Sequence, residues 1–243
     1  QKPSSAASDV YKRQMYTYEL SPIATLIEKA IIERMMEIVG YSDGFGTLTT
    51  GGSNGNMLGM LCARQAINPM STLSGFDGSR YVAFVSSEAH YSALMSANVI
   101  GIGHQNLIKV SCDSGGRMKP ESLAEEIKRS LSNDQVPFCI IATSGTTVRG
   151  AFDPLKEIAQ IAHDNNIWLH VDAAWGGSCL FSKRHRMLMD GIELADSVCW
   201  DAHKMMGLPL ICSVFLTKNK PILRAVCTPV SYTHLTLPTK ASV

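Results

Sequence analysis

Four short polar clusters and one glycine-rich turn hold the side chains in this sequence that could do chemistry. They are Ser86-Ser87-Glu88-Ala89-His90, Ser144-Gly145-Thr146-Thr147, Asp172-Ala173-Ala174-Trp175, Asp201-Ala202-His203-Lys204 and Gly51-Gly52-Ser53-Asn54-Gly55-Asn56. Small residues at a helix start let backbone N–H groups approach a phosphate, assisted by the helix dipole and the Ser53 hydroxyl. Gly-Gly-Ser equally suits a plain turn with a cap, and the run matches neither GxxxxGK(S/T) nor GxGxxG. Asp172, flanked by small residues, can approach the edge of a flat ring or cap the next helix. His170 and Asp172 point to one face of a strand, but no third ligand stands at a recognisable spacing, so no metal site is expected. His170 then supports Asp172 or packs in the core. Lys204 precedes the apolar Met205-Met206-Gly207-Leu208. Partial desolvation there would favour the neutral amine that Schiff-base chemistry needs; the alternative is a buried stem with its head in water.

The elements that must position these clusters follow from hydrophobic period and punctuation. Helices are predicted over Pro22–Ile38, Asn54–Ala66, Tyr91–Ile100, Pro120–Leu131 and Pro154–His163. Strands are predicted over Tyr81–Val85, Leu107–Val110, Pro137–Thr143, Ile167–Val171, Ser197–Trp200 and Ile211–Leu216, with Gly44–Gly52 and Asn68–Arg80 as loops. Most of these strands are apolar throughout and alternate with helices. That predicts an α/β domain with a mainly parallel sheet covered on both faces. In such sheets ligands sit beyond the carboxyl ends of the strands, where the polar clusters fall.

Composition excludes several classes of function. The 243 residues carry 22 Lys+Arg against 21 Asp+Glu, a formal net charge of +1, with 45% hydrophobic residues. Near-neutral charge gives no electrostatic case for nucleic acid or a membrane surface. No apolar run approaches the roughly 20 residues of a membrane span. Seven cysteines without a CxxC pair suggest free thiols in a reducing, cytoplasmic setting.

Taken together, the clusters supply a phosphate cradle, a histidine able to stack on a ring, a carboxylate for a pyridinium nitrogen and an amine for an aldehyde. Pyridoxal 5'-phosphate needs that equipment. Four motifs then carry a family resemblance: Met15-Tyr16-Thr17-Tyr18-Glu19, Ser144–Pro154, Ile167–Gly177 and His203-Lys204-Met205-Met206-Gly207. They resemble the pyridoxal-phosphate group II amino-acid decarboxylases, in the glutamate and cysteine-sulfinate decarboxylase branch. The resemblance implies the large cofactor domain of the aspartate-aminotransferase fold (PLP fold type I), with a sheet of the seven-stranded type. It implies that Lys204 forms the Schiff base, that Asp172 partners the pyridine nitrogen and that His90 stacks on the ring. Thr147 is placed near the ring's phenolic oxygen, and Ser53, Asn54 and His203 around the phosphate. The implied reaction is decarboxylation of an L-amino acid, an acidic one such as glutamate, aspartate or cysteine sulfinate, through a quinonoid intermediate. Members of the family usually have Asn-Pro before His-Lys, where this chain has Asp201-Ala202.

The rival readings are an aminotransferase or lyase of the same fold type, and a non-catalytic dimerising homologue. Asp9–Gln14 is a translation of a sequencing-library transposase adapter, and Val230–Leu235 translates its reverse complement in another frame. Residues 1–14 and 230–243 are therefore expected to be adapter-derived, leaving 15–229 as a truncated cofactor domain of a parent homodimer. The partner implied is a small amino-acid substrate.

Overall fold

The computed structural model describes residues 22–227, so the expectations for the two ends and for Met15–Glu19 lie outside the described residues. The chain opens with helix α1 (Pro22–Val39), strand β1 (Phe45–Thr49), helix α2 (Gly52–Ile67) and the short α3 (Ser71–Ser74). Strand β2 (Arg80–Ser86), helix α4 (Ser92–Val99), strand β3 (Leu107–Val110), helix α5 (Pro120–Ser132) and strand β4 (Gln135–Thr143) follow. Helix α6 (Leu155–Asp164), strands β5 (Trp168–Asp172), β6 (Ser197–Asp201) and β7 (Ser213–Thr217), and helix α7 (Lys220–Val226) complete the described chain.

The strands form one sheet in the order β1-β7-β6-β5-β4-β2-β3. Strands β6, β5, β4, β2 and β3 are mutually parallel, and β7 runs antiparallel to both of its neighbours. The expected mainly parallel α/β sheet is therefore present, reversed at one strand near an edge. Two apolar cores cover its faces, as runs of wholly apolar strand require. One gathers Val82, Phe84, Ile140 and Leu169 with Leu123 and Ile158; the other gathers Ala83, Val85, Ile141 and Phe215 with Met60 and Ala97. A bulge lies beside Phe138, since Val82 pairs with Pro137 but Ala83 with Cys139.

The sequence-based boundaries hold to within a few residues, with three differences: the Asn68–Arg80 loop contains the short helix α3, and two more concern strands. The Gly44–Gly52 loop contains β1, which pairs antiparallel with β7 from Phe45↔Thr217 to Thr49↔Ser213. Its pattern is hidden because it is an edge strand with Phe45 and Leu48 exposed. Gly46 lies so close to Leu216 and Ile32 that an added Cβ would meet both within 3 Å. The last strand starts at Ser213, not Ile211; Ile211 stands exposed in the preceding loop.

Helix α2 determines how the site is assembled. Gly52, Gly55 and Gly59 form a stripe at helical spacing that faces the sheet. A Cβ at Gly52 would stand 2.6 Å from Asp201 Oδ2, one at Gly55 2.5 Å from Cys199 Sγ, and one at Gly59 2.4 Å from His170 Nδ1. The stripe brings the helix backbone down onto β5 and β6. Because His170 is buried and hydrogen-bonded at both ring nitrogens, it has no room to yield. Gly59→Ala is expected to cost about 1–3 kcal/mol through overpacking, visible as a lower urea midpoint with an unchanged slope. An unaltered midpoint would show that α2 can lift off the sheet freely.

Candidate cofactor site

The parallel strands β2, β4, β5 and β6 deliver their carboxyl ends, Ser86, Thr143, Asp172 and Asp201, to one rim of the sheet. A cleft of about 550 Å³ opens there, lined by Gly52, Ser53, His90, Thr147, Asp172 and Lys204 among others. Five of the seven residues singled out from the sequence thus meet in one cavity. Asn54 and His203 are not among its lining residues. Asn54 lies in the first turn of α2, next to Ser53. His203 Nδ1 is 2.9 Å from the Cys212 carbonyl oxygen and 3.2 Å from the Cys212 nitrogen, so its imidazole fastens the far end of the 203–212 loop.

Asp172 is the best supported of these side chains. Its Oδ1 accepts the Ala174 N–H at 3.1 Å, and its Oδ2 accepts from Asn56 Nδ2 at 2.8 Å. Asn56 is itself oriented, with Nδ2 2.9 Å from Ser92 Oγ and Oδ1 3.0 Å from His170 Nε2. His170 Nδ1 lies 2.8 Å from Ser197 Oγ, which accepts the Trp168 indole N–H at 2.9 Å. One consistent set of donors runs along the chain. The Ser197 hydroxyl donates to Nδ1, His170 donates from Nε2 to Asn56 Oδ1, and the Asn56 amide donates to the carboxylate. Burial pushes the His170 imidazole down to about 3, so the ring is neutral as that chain requires. His170 is therefore both of the things expected of it, a core residue and a support for Asp172, acting through Asn56. Asn56 escaped the sequence reading, although it sits within the glycine-rich run; an Asn in the second turn of a helix gives no local signal.

Burial raises the Asp172 carboxyl above its usual range, opposed by the Ala174 and Asn56 hydrogen bonds and by the Lys204 and His90 charges. Its charged form is thus short of a close positive partner. His90, in the loop after β2, accepts the Ser92 N–H on Nδ1 at 3.2 Å, which leaves Nε2 to carry the proton. Thr146 Oγ1 accepts the Ala151 N–H and closes the Thr146–Ala151 turn that presents Thr147.

Of the two settings the sequence allows Lys204, partial desolvation or a buried stem with its head in water, the structure does not give the desolvated one. Its side chain is 37% exposed and Nζ stands 3.1 Å from Asp201 Oδ2. Met205, Met206 and Leu208 are themselves exposed, so they do not wrap it. Its neighbour of consequence is a carboxylate.

The chain belongs to the family described as the pyridoxal-dependent decarboxylase conserved domain, whose model matches residues 7–238. It is 45% identical over 222 residues to the acidic amino acid decarboxylase GADL1 of Mus musculus, covering 91% of this chain and 40% of the relative. It is 44% identical over 214 residues to GADL1 of Homo sapiens, covering 88% of this chain and 41% of the relative. Among solved structures, that of mouse CSAD superposes with a TM-score of 0.88 at 39% identity, covering 93% of this chain and 48% of that one. The glutamate decarboxylase domain of a Vibrio parahaemolyticus diaminobutyrate-pyruvate transaminase and L-2,4-diaminobutyrate decarboxylase gives 0.83 at 27% identity, over 93% and 51%. The chain spans less than half the length of the curated relatives it matches. The sheet is that of the aspartate-aminotransferase-like fold of the pyridoxal-phosphate decarboxylases, and pyridoxal 5'-phosphate is the family's cofactor.

The cleft fits that cofactor. Helix α2 begins at the cleft with no side chain capping its first turn; the Asn54 N–H bonds back to the Gly51 carbonyl at 3.0 Å, which leaves the Gly52 and Ser53 amides for an anion. Thr143 lines the cleft, and its Oγ1 is buried without a hydrogen-bond partner. A protonated ring nitrogen would give Asp172 the positive partner it lacks. Asn56→Ala should lower stability by about 1–3 kcal/mol, since it strips a donor from Asp172 and an acceptor from His170. Thermal or urea unfolding reads this directly, and a variant as stable as wild type would mean that the Trp168–Asp172 chain does not hold the carboxylate.

Proposed function

We propose that this protein is a pyridoxal-phosphate-dependent carboxy-lyase that decarboxylates an acidic L-amino acid, with glutamate, aspartate and cysteine sulfinate as candidate substrates. The observation that carries the reading is the meeting of Lys204, Asp172, His90 and the uncapped start of α2 in one cleft. The similarity to acidic amino acid decarboxylases supports the substrate class. When bound, pyridoxal phosphate supplies an electron sink for the pair released as carbon dioxide leaves.

This chain's residues would do the rest. Lys204 Nζ would be the amine offered to the cofactor's aldehyde. The Asp172 carboxylate, held by Ala174 N–H and Asn56, would stabilise a proton on the pyridine nitrogen. Such a preorganised charge is worth more in a water-poor site than in solution. His90 Nδ1 is engaged by Ser92 N–H, which fixes the imidazole plane for stacking. Ser53 and the first amides of α2, with Asn54 and His203 nearby, would take the phosphate, and Thr147 the phenolic oxygen. We read residues 15–229 as part of the large cofactor domain of a cytoplasmic homodimer. The exposed Leu208, Leu210 and Ile211 beside Lys204 support a partner surface there, and the unpaired cysteines support a reducing compartment. No described helix is long and apolar enough to cross a membrane.

Borohydride reduction of the cofactor-loaded protein should attach a pyridoxyl group to Lys204, located by peptide mass mapping, and Lys204→Ala should abolish it. Labelling at another lysine would overturn the assignment. Where carbon dioxide release from the candidate amino acids is measured, Asp172→Asn should reduce kcat by roughly a hundredfold or more with a smaller change in KM. A loss of only a few-fold would assign the ring nitrogen to another group.

A further inference from the structure

The carboxylate of Asp201 lies between the two ends of the cleft that would engage the cofactor. Its side chain is 2% exposed. Oδ1 accepts the Ser213 hydroxyl, which in turn accepts from Thr49 Oγ1 at 2.9 Å. Oδ2 is left for Lys204 Nζ, at 3.1 Å, with His203 Nε2 at 3.7 Å. The same carboxylate presses on the start of α2, because a Cβ at Gly52 would lie 2.6 Å from Oδ2 and 3.1 Å from Oδ1. A buried negative charge therefore abuts both the lysine and the anion-binding helix start.

We propose that Asp201 is a positioning residue for Lys204, and that its carboxylate governs how strongly the cleft takes up a phosphate-bearing aldehyde. The inference rests on the reading of the cleft as a pyridoxal-phosphate site. With the carboxylate charged, two effects act in the same direction. The Lys204 amine is drawn into an ion pair, and an ammonium so paired is not nucleophilic; an incoming dianion meets a like charge beside Gly52. Both are relieved by one proton transfer, from Lys204 Nζ to Asp201 Oδ2. The N–H electron pair stays on nitrogen as its lone pair, and the carboxylate becomes a neutral acid whose O–H can donate. Net charge in the pair is unchanged, but the negative end of the pair is gone from the helix start.

The other groups near this proton are His203 on the same loop, Cys199 on β6, Asp172 at the end of β5, and His90 across the cleft. Cys199 is held as a neutral thiol, pushed up by burial and then by the Asp172 and Asp201 charges. Ser213 on β7 and Thr49 on β1 do not titrate in the working range.

The test compares wild type with Asp201→Asn, which nearly preserves shape and the Ser213 contact. Inorganic sulfate is the probe, a dianion that does not itself titrate between pH 5 and 8. At pH 7.5 the variant should bind sulfate at least about tenfold more tightly, a change of about 1.4 kcal/mol. Wild type should gain more affinity than the variant as pH falls to 5.5; the two proteins differ only at position 201, so the difference isolates that carboxylate. Equal affinities within twofold would overturn the proposal. Should Asp201→Asn not fold, Lys204→Met serves, because it leaves Asp201 without its ammonium. It should bind sulfate at least about tenfold more weakly at pH 7.5 and recover at pH 5.5 by more than wild type gains, since each tenfold is about 1.4 kcal/mol; a pH-independent loss would overturn the proposal. Absorbance titration with pyridoxal phosphate runs alongside. A wild type that develops no new band refutes the cofactor reading itself, while the sulfate comparison still decides the role of Asp201.

Discussion

The whole site depends on how closely helix α2 lies on strands β5 and β6. Three glycines permit that approach, and each stands opposite a side chain that would otherwise be displaced: Asp201, Cys199 and His170. The approach does more than fill space. It places Asn56, one residue beyond Gly55, within hydrogen-bond distance of both Asp172 and His170. It also brings the open end of the helix to the rim where the parallel strands finish. Gly51, with φ of +139°, makes the turn from β1 into α2 that a residue with a side chain would resist. Had α2 carried alanines on this face, anion site and carboxylate support would have moved apart together.

Two buried acidic side chains line the cleft, and they are supported differently. Asp172 accepts hydrogen bonds only from neutral donors, a backbone N–H and an amide, which satisfy its geometry but do little to offset lost hydration of a full charge. On the proposed reading, that imbalance would suit Asp172 to a cation delivered from outside the fold. Asp201 has a cation of its own in Lys204, besides the Ser213 hydroxyl. The protein without cofactor is thus internally neutralised at one carboxylate and short of positive charge at the other. On the proposed reading, a cofactor bearing both an anionic phosphate and a basic ring nitrogen would engage both conditions at once.

Much of this was legible in sequence because parallel buried strands write themselves as unbroken apolar runs. Leu107–Val110 and the body of β2, β4, β5 and β6 were bounded to within a few residues. The polar clusters at their ends then had only one place to go, the carboxyl rim. Strand β1 was not legible, since an exposed edge strand of Gly and Thr lacks any buried alternation. Within the site, Lys204 and Asp172 stood out by type and position, and the family motifs supplied roles for His90, Thr147, Ser53, Asn54 and His203. Asn56 and the partnership of Asp201 with Lys204 were not legible, because both depend on contacts between elements far apart in sequence.

The setting of Lys204 shows why a local apolar stretch is a poor guide to a lysine's environment. Met205, Met206 and Leu208 follow it in sequence, yet they project into solvent from a loop whose ends are joined by His203 and Cys212. What Lys204 meets is decided by Asp201, three residues earlier at the end of β6, because the chain turns there and Lys204 N–H bonds back to the Asp201 carbonyl at 3.1 Å. The turn folds the side chain back over its own strand end, so the amine faces a carboxylate and is not shut away from water. That contact, at 3.1 Å, is set by the turn alone and needs no rearrangement of the sheet that holds both residues.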